Sequence, residues 1–308
     1  MQSLESTENK YHWAKLSAEQ WRDRAIFILI GITVYLALPL PERFTDDGFA
    51  SLVLPLAVTG FVAEFLERLY KFPYGITLLS LAIPMGIISV SIGLVLNFLN
   101  FTSGPMDVLS VGISATLMFQ SLFYGLVLCV IGSSLYREEE IHLKLLPISI
   151  RTFLFLILYV YGWIFMAMTL AGDFIDFISA KPFLLFLGIS ISFQIARANK
   201  QGIAENIADA AIAGIIISIM IGIVMIYSSF GIEPNFRYIE AIQFVELANY
   251  ANYGLLYGCG LYIFSFLLSL YTNEFNKINF KLKNWHMVEA FCFYVFMTLA
   301  APSLFELV

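Results

Sequence analysis

The stretch SVSIGLVLNF at residues 89–98 is matched without a gap by SIMIGIVMIY at residues 218–227. Both stretches share the pattern S-x-x-I-G-x-V and lie inside long apolar runs. Small residues four positions apart are typical of a helix that packs closely against another helix in a membrane. The two copies therefore predict a helical membrane protein that contains an internal repeat.

The composition of the chain also indicates a membrane protein. Apolar residues make up 59% of the 308 residues and charged residues 13%, whereas soluble domains carry about 25% charged residues. We expect an all-α polytopic fold, because lipid cannot satisfy open backbone groups and the apolar runs lack the alternation of a membrane barrel. Nine runs approach the ~20 residues of a membrane span, at about 25–40, 48–66, 75–101, 108–136, 152–172, 182–197, 207–230, 241–271 and 285–305.

The nine runs divide the chain into four parts: a polar tail at 1–24, a first four-span module at 25–140, a second four-span module at 150–275 and a ninth span at 284–308. The opening match continues in the following span, where SLFYG at 121–125 aligns with GLLYG at 254–258. The order of spans and loops is the same in both parts. We therefore expect two tandem modules of parallel orientation, unlike the inverted repeats of many transporters.

The basic residues indicate how the chain is oriented. Only Arg43, Lys181 and Arg237 lie on one side of the predicted membrane, and the remaining 14 of the 17 lysines and arginines lie on the other. Cytoplasmic loops carry the excess of Lys and Arg. The asymmetry predicts a cytoplasmic N-terminus, an outward C-terminus and an odd number of spans.

The helices that carry the repeat resemble a known family. The third span of each module reads IPMGIISVSIGLVLNF or AIAGIIISIMIGIVMIY, and the fourth carries LFYGLVL or LLYGCGL. These segments resemble the MotA/TolQ/ExbB proton-channel family, best over 150–275 and more faintly over 25–140. The resemblance implies an inner-membrane subunit that couples ion movement to conformational work. It also implies assembly with further copies of the chain or with a single-span membrane partner.

The chain departs from this family in two ways. The loops at about 67–74 and 198–206 are too short for the large cytoplasmic domain that family members usually carry. The threonines that the family places near its pore are replaced by aliphatic residues, which are Val90, Ile219, Leu122 and Leu255. The sequence therefore does not predict ion conduction by this chain alone.

Glu289 is the main candidate for an ion-carrying residue. It lies about one turn inside the ninth span and follows Lys281, Lys283 and Trp285. Carboxylates within spans are costly and often functional. The resemblance implies that a carboxylate placed early in such a helix serves a proton pathway. Two interpretations remain open: Glu289 takes up and releases a proton, or it reaches the interface or pairs with Lys283 or His286.

The eighth span has a polar face. Gln243, Glu246 and Asn249 recur at three-residue steps and are followed by Tyr250, Tyr253 and Tyr257. Residues at this spacing share one side of a helix. In a membrane such a side predicts either part of an ion pathway, with Glu246, Gln243 and Asn249 as its candidates, or a hydrogen-bonded helix–helix seam.

Small residues in the third and fourth spans predict close helix packing rather than ligand binding. They are Ser89, Gly93, Gly125, Ser218, Gly222 and Gly258.

No motif of an enzyme is present in the sequence. The three cysteines lie in predicted spans, the three histidines lack the spacing of metal ligands, and no phosphate-binding loop or nucleophile motif occurs. We therefore expect no enzymatic activity, no cofactor and no bound metal, and the absence of a basic block argues against nucleic acid. A non-conducting scaffold of an envelope or secretion complex and a small-molecule transporter remain as alternatives to the ion-driven subunit.

Overall fold

The computed structural model describes residues 18–37, 53–103, 108–136, 147–197, 201–232 and 241–305. Within these ranges the chain forms nine α-helices and no strand. The helices are α1 (Ala18–Ala37), α2 (Thr59–Tyr70), α3 (Tyr74–Ser103), α4 (Val108–Leu135), α5 (Ile150–Ala171), α6 (Ala180–Arg197), α7 (Ile203–Ile232), α8 (Ala241–Thr272) and α9 (Phe280–Phe305). Short 3-10 turns follow α5 at Phe174–Phe177 and α8 at Phe275–Lys277.

Four of the described helices are long and apolar enough to cross a membrane. The qualifying segments are Tyr74–Val95 in α3, Ile150–Ala171 in α5, Ile203–Ser228 in α7 and Asn249–Thr272 in α8. The segment Gln120–Leu135 of α4 is apolar but shorter. The prediction of an all-helical, membrane-embedded protein is confirmed.

Several predicted spans differ from the helices that form. The first span, predicted from 25, belongs to α1, which already begins at Ala18 within the predicted tail. The second span, predicted at 48–66, is a π-helical segment at Val53–Val58 followed by α2, which continues to Tyr70. The ninth span, predicted from 285, belongs to a helix that already begins at Phe280. Hydropathy detects only the apolar part of a helix, so the charged turn of α9 with Lys281 and Lys283 escaped the prediction. Residues 1–17 of the predicted tail lie outside the described residues.

Helix α3 lies at the centre of the bundle. In its spanning segment 89% of the residues are buried, compared with 33% in α5, which is therefore a peripheral helix. Helix α3 packs against α4, α8 and α9, and α9 also packs against α7. We call the end of the bundle that carries Lys71, Arg197 and Lys277 the basic end. The end that carries the turn Phe174–Phe177 is called the opposite end.

Helices α3 and α4 approach each other at small residues. A methyl group added at Gly125 would lie 2.9 Å from the carbonyl oxygen of Ala82 and 3.3 Å from Cα of Gly86. Nearer the basic end, a methyl group at Gly132 would lie 2.9 Å from the carbonyl oxygen of Gly75. Backbone atoms of the two helices are thus in direct contact, which requires glycine.

Helices α7 and α8 form a second close pair. A side chain at Gly258 would overlap the side chain of Ile215, and one at Gly254 would overlap Ser218. In addition, Ser265 Oγ donates a hydrogen bond of 2.7 Å to the carbonyl oxygen of Ala204, at the start of α7. Of the other small residues noted in the sequence, Ser89 is buried in α3 and Gly222 is buried in α7, whereas Gly93 is half-buried.

Both pairs use small residues at seven-residue intervals. Helix α3 presents Gly75, Ala82 and Ser89, and α7 presents their counterparts Ala204, Ala211 and Ser218. A seven-residue period keeps one side of a helix in contact with a neighbour that crosses it at a shallow angle. The spacing therefore explains why each pair stays closely packed over several turns.

Replacing Gly125 with Ala is expected to destabilise the α3–α4 pair by about 1 kcal/mol, because the added methyl group meets backbone atoms that have little freedom to move. The measurement is the free energy of unfolding in mixed micelles. Gly188→Ala is the matched control, since a methyl group at Gly188 has no neighbour within 4 Å. Equal stability of the two variants would show that α3 and α4 are not in backbone contact.

Candidate functional site

Helix α9 is held at the basic end by the chain that precedes it. Asn279 Oδ1 accepts a hydrogen bond of 3.0 Å from the backbone N–H of Leu282 and so caps the first turn. The ring of Phe280 stacks on the ring of Phe275 at a centroid distance of 5.3 Å. The backbone carbonyl oxygen of Phe280 accepts a hydrogen bond of 3.1 Å from the hydroxyl of Tyr262 in α8. These contacts fix where α9 enters the bundle between α3 and α7.

Asp209 joins three helices near the basic end. Its carboxylate accepts a hydrogen bond of 2.5 Å from Arg197 Nη1 of α6 and forms an ion pair with Lys283 Nζ of α9. The side chain of Lys283 is only 14% exposed and that of Asp209 22%. A lysine this deeply buried requires a counter-charge. We call this group of Arg197, Asp209 and Lys283 the ion lock.

Two buried asparagines lie beside the ion lock. Asn206 Nδ2 donates 3.3 Å to Gln194 Oε1, and Asn284 Nδ2 donates to the carbonyl oxygen of Leu79 in α3. The Oδ1 atoms of both asparagines are buried and accept no hydrogen bond from any described residue. Such acceptors mark a place where a water molecule or another polar group is favoured.

Glu274 completes the basic end by capping α7. Its Oε2 atom accepts 3.0 Å from the backbone N–H of Ala204, in the first turn of that helix. A carboxylate at this position satisfies an otherwise unpaired donor and interacts favourably with the helix dipole. The carboxylate lies where a side chain at position 202 would stand, so Gly202 is required for the contact.

A second ion cluster ties α1 to α2. Arg24 Nε donates 2.6 Å to Glu64 Oε2, and the guanidinium also pairs with Glu67. Arg68 pairs with the other oxygen of Glu64. The cluster lies within two turns of Lys71 and belongs to the same end of the bundle as the ion lock.

A separate polar cluster lies toward the opposite end, between α8 and α9. Tyr294 OH donates 2.8 Å to Asn252 Oδ1, and Asn252 Nδ2 donates 3.3 Å to Asn249 Oδ1. All three side chains are buried. Hydrogen bonds between helices at membrane depth typically contribute about 0.6–2 kcal/mol each. The cluster therefore holds α9 against α8.

The tyrosines of the polar face predicted in α8 bind the loop at the opposite end. Tyr253 OH donates 2.6 Å to the carbonyl oxygen of Asp176. Tyr257 OH donates 2.9 Å to the carbonyl oxygen of Phe177 and accepts 2.7 Å from the backbone N–H of Ser179. This part of the face is a hydrogen-bonded seam.

The two polar levels are separated by an apolar layer. Along α9, Asn284 and Tyr294 are ten residues apart, or about 15 Å of helix rise. The buried residues of α7, α8 and α9 between these levels are apolar except for Ser218, and include Ile215, Cys259, Met287 and Phe291. Among the described residues, the space between α7, α8 and α9 therefore does not form a continuous polar path.

Glu289 lies on the outside of the bundle. Its side chain is 72% exposed, and its Oε2 atom lies 3.2 Å from His286 Nδ1. Trp285, Phe293 and Phe296 are exposed on the same helix. The carboxylate lies six residues, or about 9 Å of rise, farther along α9 than Lys283 of the ion lock. Glu289 thus faces the surroundings of the protein at a depth beyond the charged groups of the basic end.

The candidates chosen from the sequence are not gathered at one place. Asn249 belongs to the buried cluster with Tyr294, whereas Glu289 points away from it. Gln243 and Glu246 fall within α8, but their side chains lie outside the described residues. Four further polar residues buried or paired around α9 were not chosen from the sequence, and they are Asn206, Asp209, Asn252 and Asn284. The sequence feature that could have identified them is an Asn or Asp within one or two helical turns of an apolar run.

The described part of the chain holds no group of three His, Cys, Asp or Glu residues that could bind a metal ion. Cys129, Cys259 and Cys292 are free thiols. Comparison of the chain with protein-family models, with curated proteins and with solved structures gave no match.

Proposed function

We propose that this protein is a subunit of an ion-driven, motor-like or channel-like membrane complex, and that Glu289 takes up and releases a proton at an interface with a second chain. The observation that carries the proposal is the exposure of Glu289 on the outer face of α9, where 72% of its side chain is accessible. A carboxylate that faces lipid at this depth is costly. A partner chain with polar groups, or a path for water along the interface, would remove that cost.

The apolar layer inside the bundle favours the same location. An ion that crossed between α7, α8 and α9 would have to pass Ile215, Cys259 and Met287, which are fully buried. No titratable carboxylate of the described residues lies in that layer. The outer face of α9, with Glu289 and His286, is the alternative route, and it requires a second chain as its other wall.

The proposal includes two tandem modules, and the bounds of the helices support them. Helices α3 and α7 each contain 30 residues. Their first residues, Tyr74 and Ile203, align with each other in the same gapless register that aligns the two S-x-x-I-G-x-V stretches. The first residues of α4 and α8, Val108 and Ala241, likewise align in the register that matches SLFYG with GLLYG. A duplicated sequence accounts for both agreements.

The contacts between the helices provide a second, independent support for duplication. Contacts in the α3–α4 pair are found again in the α7–α8 pair when both helices are compared in these registers. The contact between Gly86 and Gly125 corresponds to the contact between Ile215 and Gly258. The contact between Gly75 and Gly132 corresponds to the hydrogen bond between Ala204 and Ser265. Two unrelated pairs of apolar helices would not be expected to share a register.

The proposed setting is the inner membrane, with nine spans, a cytoplasmic N-terminus and an outward C-terminus. The basic end, with Lys71, Arg197 and Lys277, would then face the cytoplasm, as the excess of basic residues favours. Partners would be further copies of the chain or a single-span membrane protein.

A non-conducting scaffold is the second candidate function. The ion lock and the Asn249–Asn252–Tyr294 cluster are internal contacts that hold helices together, and a scaffold needs no more than these. The scaffold interpretation assigns no role to the exposed Glu289. A measurement of the α9 face therefore separates the two functions.

Cross-linking through the natural Cys292 tests for a second chain at this face. Cys292 is exposed and lies three residues beyond Glu289, whereas Cys259 is buried and Cys129 is half-buried. A short bismaleimide applied to native membranes is expected to yield a covalent dimer, or an adduct with a smaller membrane protein. Cys292→Ser is the control. Recovery of only the single chain, together with a monomeric mass in mild detergent, would contradict the proposal.

A further inference from the structure

A large apolar cavity lies between the peripheral helices α5 and α6. Both helices contact α8, which forms the floor of the cavity. The volume is about 680 Å³, within the ~300–1,000 Å³ range of small-molecule sites. The lining is aromatic and aliphatic and includes Ile164, Phe165, Phe183, Leu187, Gly260 and Leu261.

The cavity is bounded toward the opposite end of the bundle by the loop that the α8 tyrosines hold. Phe174 of the 3-10 turn lines the cavity, and its ring contacts Phe165 at a centroid distance of 4.7 Å. The turn is fixed by the hydrogen bonds from Tyr253 and Tyr257. The lining residues Phe165 of α5 and Phe183 and Leu187 of α6 are exposed, so the cavity opens to the surroundings between α5 and α6. It lies beside the membrane-spanning segments of α5 and α8.

The polar groups of the tyrosines at the cavity are already paired. Tyr161 OH donates 2.6 Å to the carbonyl oxygen of Gly260, and Tyr257 OH is engaged with the loop. Ser190 Oγ, which also lines the cavity, is buried and has no hydrogen-bond partner among the described residues. Apart from this one unpaired hydroxyl, the surface offered to a ligand is hydrocarbon, which disfavours a charged small molecule.

We propose that this cavity binds one acyl chain of a phospholipid, with the headgroup at the opposite end of the bundle. Exposed Lys181 stands in the first turn of α6, two residues before Phe183 of the cavity wall, and its ammonium complements the lipid phosphate. Exposed Asp173, next to Phe174, complements the ammonium of phosphatidylethanolamine. The site is independent of Glu289 and of the proposed ion coupling.

The cavity has a natural position at which to block it. A methyl group on Gly260 would meet only the ring of Tyr161, at 3.9 Å, so a larger side chain there would extend into the cavity. Gly188 of α6 is the matched control, because a methyl group at that position meets nothing within 4 Å and Gly188 does not line the cavity. Gly260→Leu and Gly188→Leu therefore differ in whether the cavity is filled.

The test is native mass spectrometry of the detergent-solubilised protein during titration with palmitoyl-oleoyl phosphatidylethanolamine. The wild type and Gly188→Leu are expected to retain one lipid more tightly than the rest, and Gly260→Leu to bind it about tenfold more weakly. Leu187→Trp, which fills the cavity from α6, serves as the second variant if Gly260→Leu does not fold. A diacylglycerol is expected to bind more weakly than the phospholipid, and Lys181→Ala to remove that difference.

Equal lipid affinity of the filled and control variants would overturn the proposal. A change in oligomeric mass on filling, without a change in bound lipid, would also overturn it, because a second copy of the chain would then occupy the cavity.

Discussion

Asp209→Asn is expected to lower the free energy of unfolding by about 2 kcal/mol, the typical value of hydrogen bonds to a charged group. The substitution preserves the size of the side chain and removes the charge that Arg197 and Lys283 share. Arg197 is partly exposed and turns to solvent, but Lys283 is largely buried and keeps an uncompensated charge. The measurement is reversible unfolding in mixed micelles.

The matched control for the ion lock is Asp173→Asn. Asp173 is exposed, and its side chain makes no capping hydrogen bond to the turn that it precedes. The same chemical change there is expected to leave stability unaltered. Adding Lys283→Met to Asp209→Asn is expected to restore part of the loss, because it removes the stranded charge. If Asp209→Asn and Asp173→Asn are equally stable, the ion lock does not hold α9 to α6 and α7.

The ion lock also shows which features the sequence makes predictable. The fold class follows from long apolar runs without the alternation of a barrel, which only helices can place in lipid. The close helix pairs follow from the spacing of small residues, because a contact between two backbones excludes larger side chains. Both features are properties of one or two segments and can be read from a local pattern.

The partners of Asp209 could not be predicted in the same way. Arg197 is 12 residues before it and Lys283 is 74 residues after it, and only the packing of α9 beside α7 brings the lysine close. Glu205 and Asp209 are equally plausible as solvated groups at the start of a helix. The two residues differ in how they are packed in the folded bundle. That packing depends on neighbouring helices that a single sequence does not reveal.

The rotation of α9 about its own axis, which decides the side that faces the bundle, could not be predicted from the sequence. The pattern of Lys283, Trp285 and Glu289 placed a carboxylate early in an apolar helix, and that feature is local. Whether Glu289 faces the bundle or its surroundings depends on which residues contact α3 and α7. Asn284, Met287 and Phe291 are buried, and Asn284 donates to the carbonyl oxygen of Leu79 in α3, so Glu289 is turned outward and pairs with His286.

Glu289→Gln is expected to abolish proton flux through the assembled complex in liposomes and to leave the amount of assembled complex unchanged. Glutamine preserves the size of the side chain and its hydrogen bond to His286, but it cannot take up or release a proton. Flux would be measured with a pH-sensitive dye inside the liposomes after a potential is imposed. The preparation would include any partner captured through Cys292.

Glu205→Gln supplies the matched control, because it makes the same chemical change at the basic end of the bundle. There Glu205 Oε1 accepts a hydrogen bond of 3.3 Å from Gln201 Nε2. Its flux is expected to equal that of the wild type. His286→Gln is expected to retain flux, because glutamine is also able to hydrogen-bond to Glu289 Oε2. Full flux in Glu289→Gln would exclude Glu289 as the carrier. If the assembled wild type conducts no protons while the cross-link at Cys292 forms, the outer face of α9 is a docking surface and the scaffold function replaces the ion-driven one.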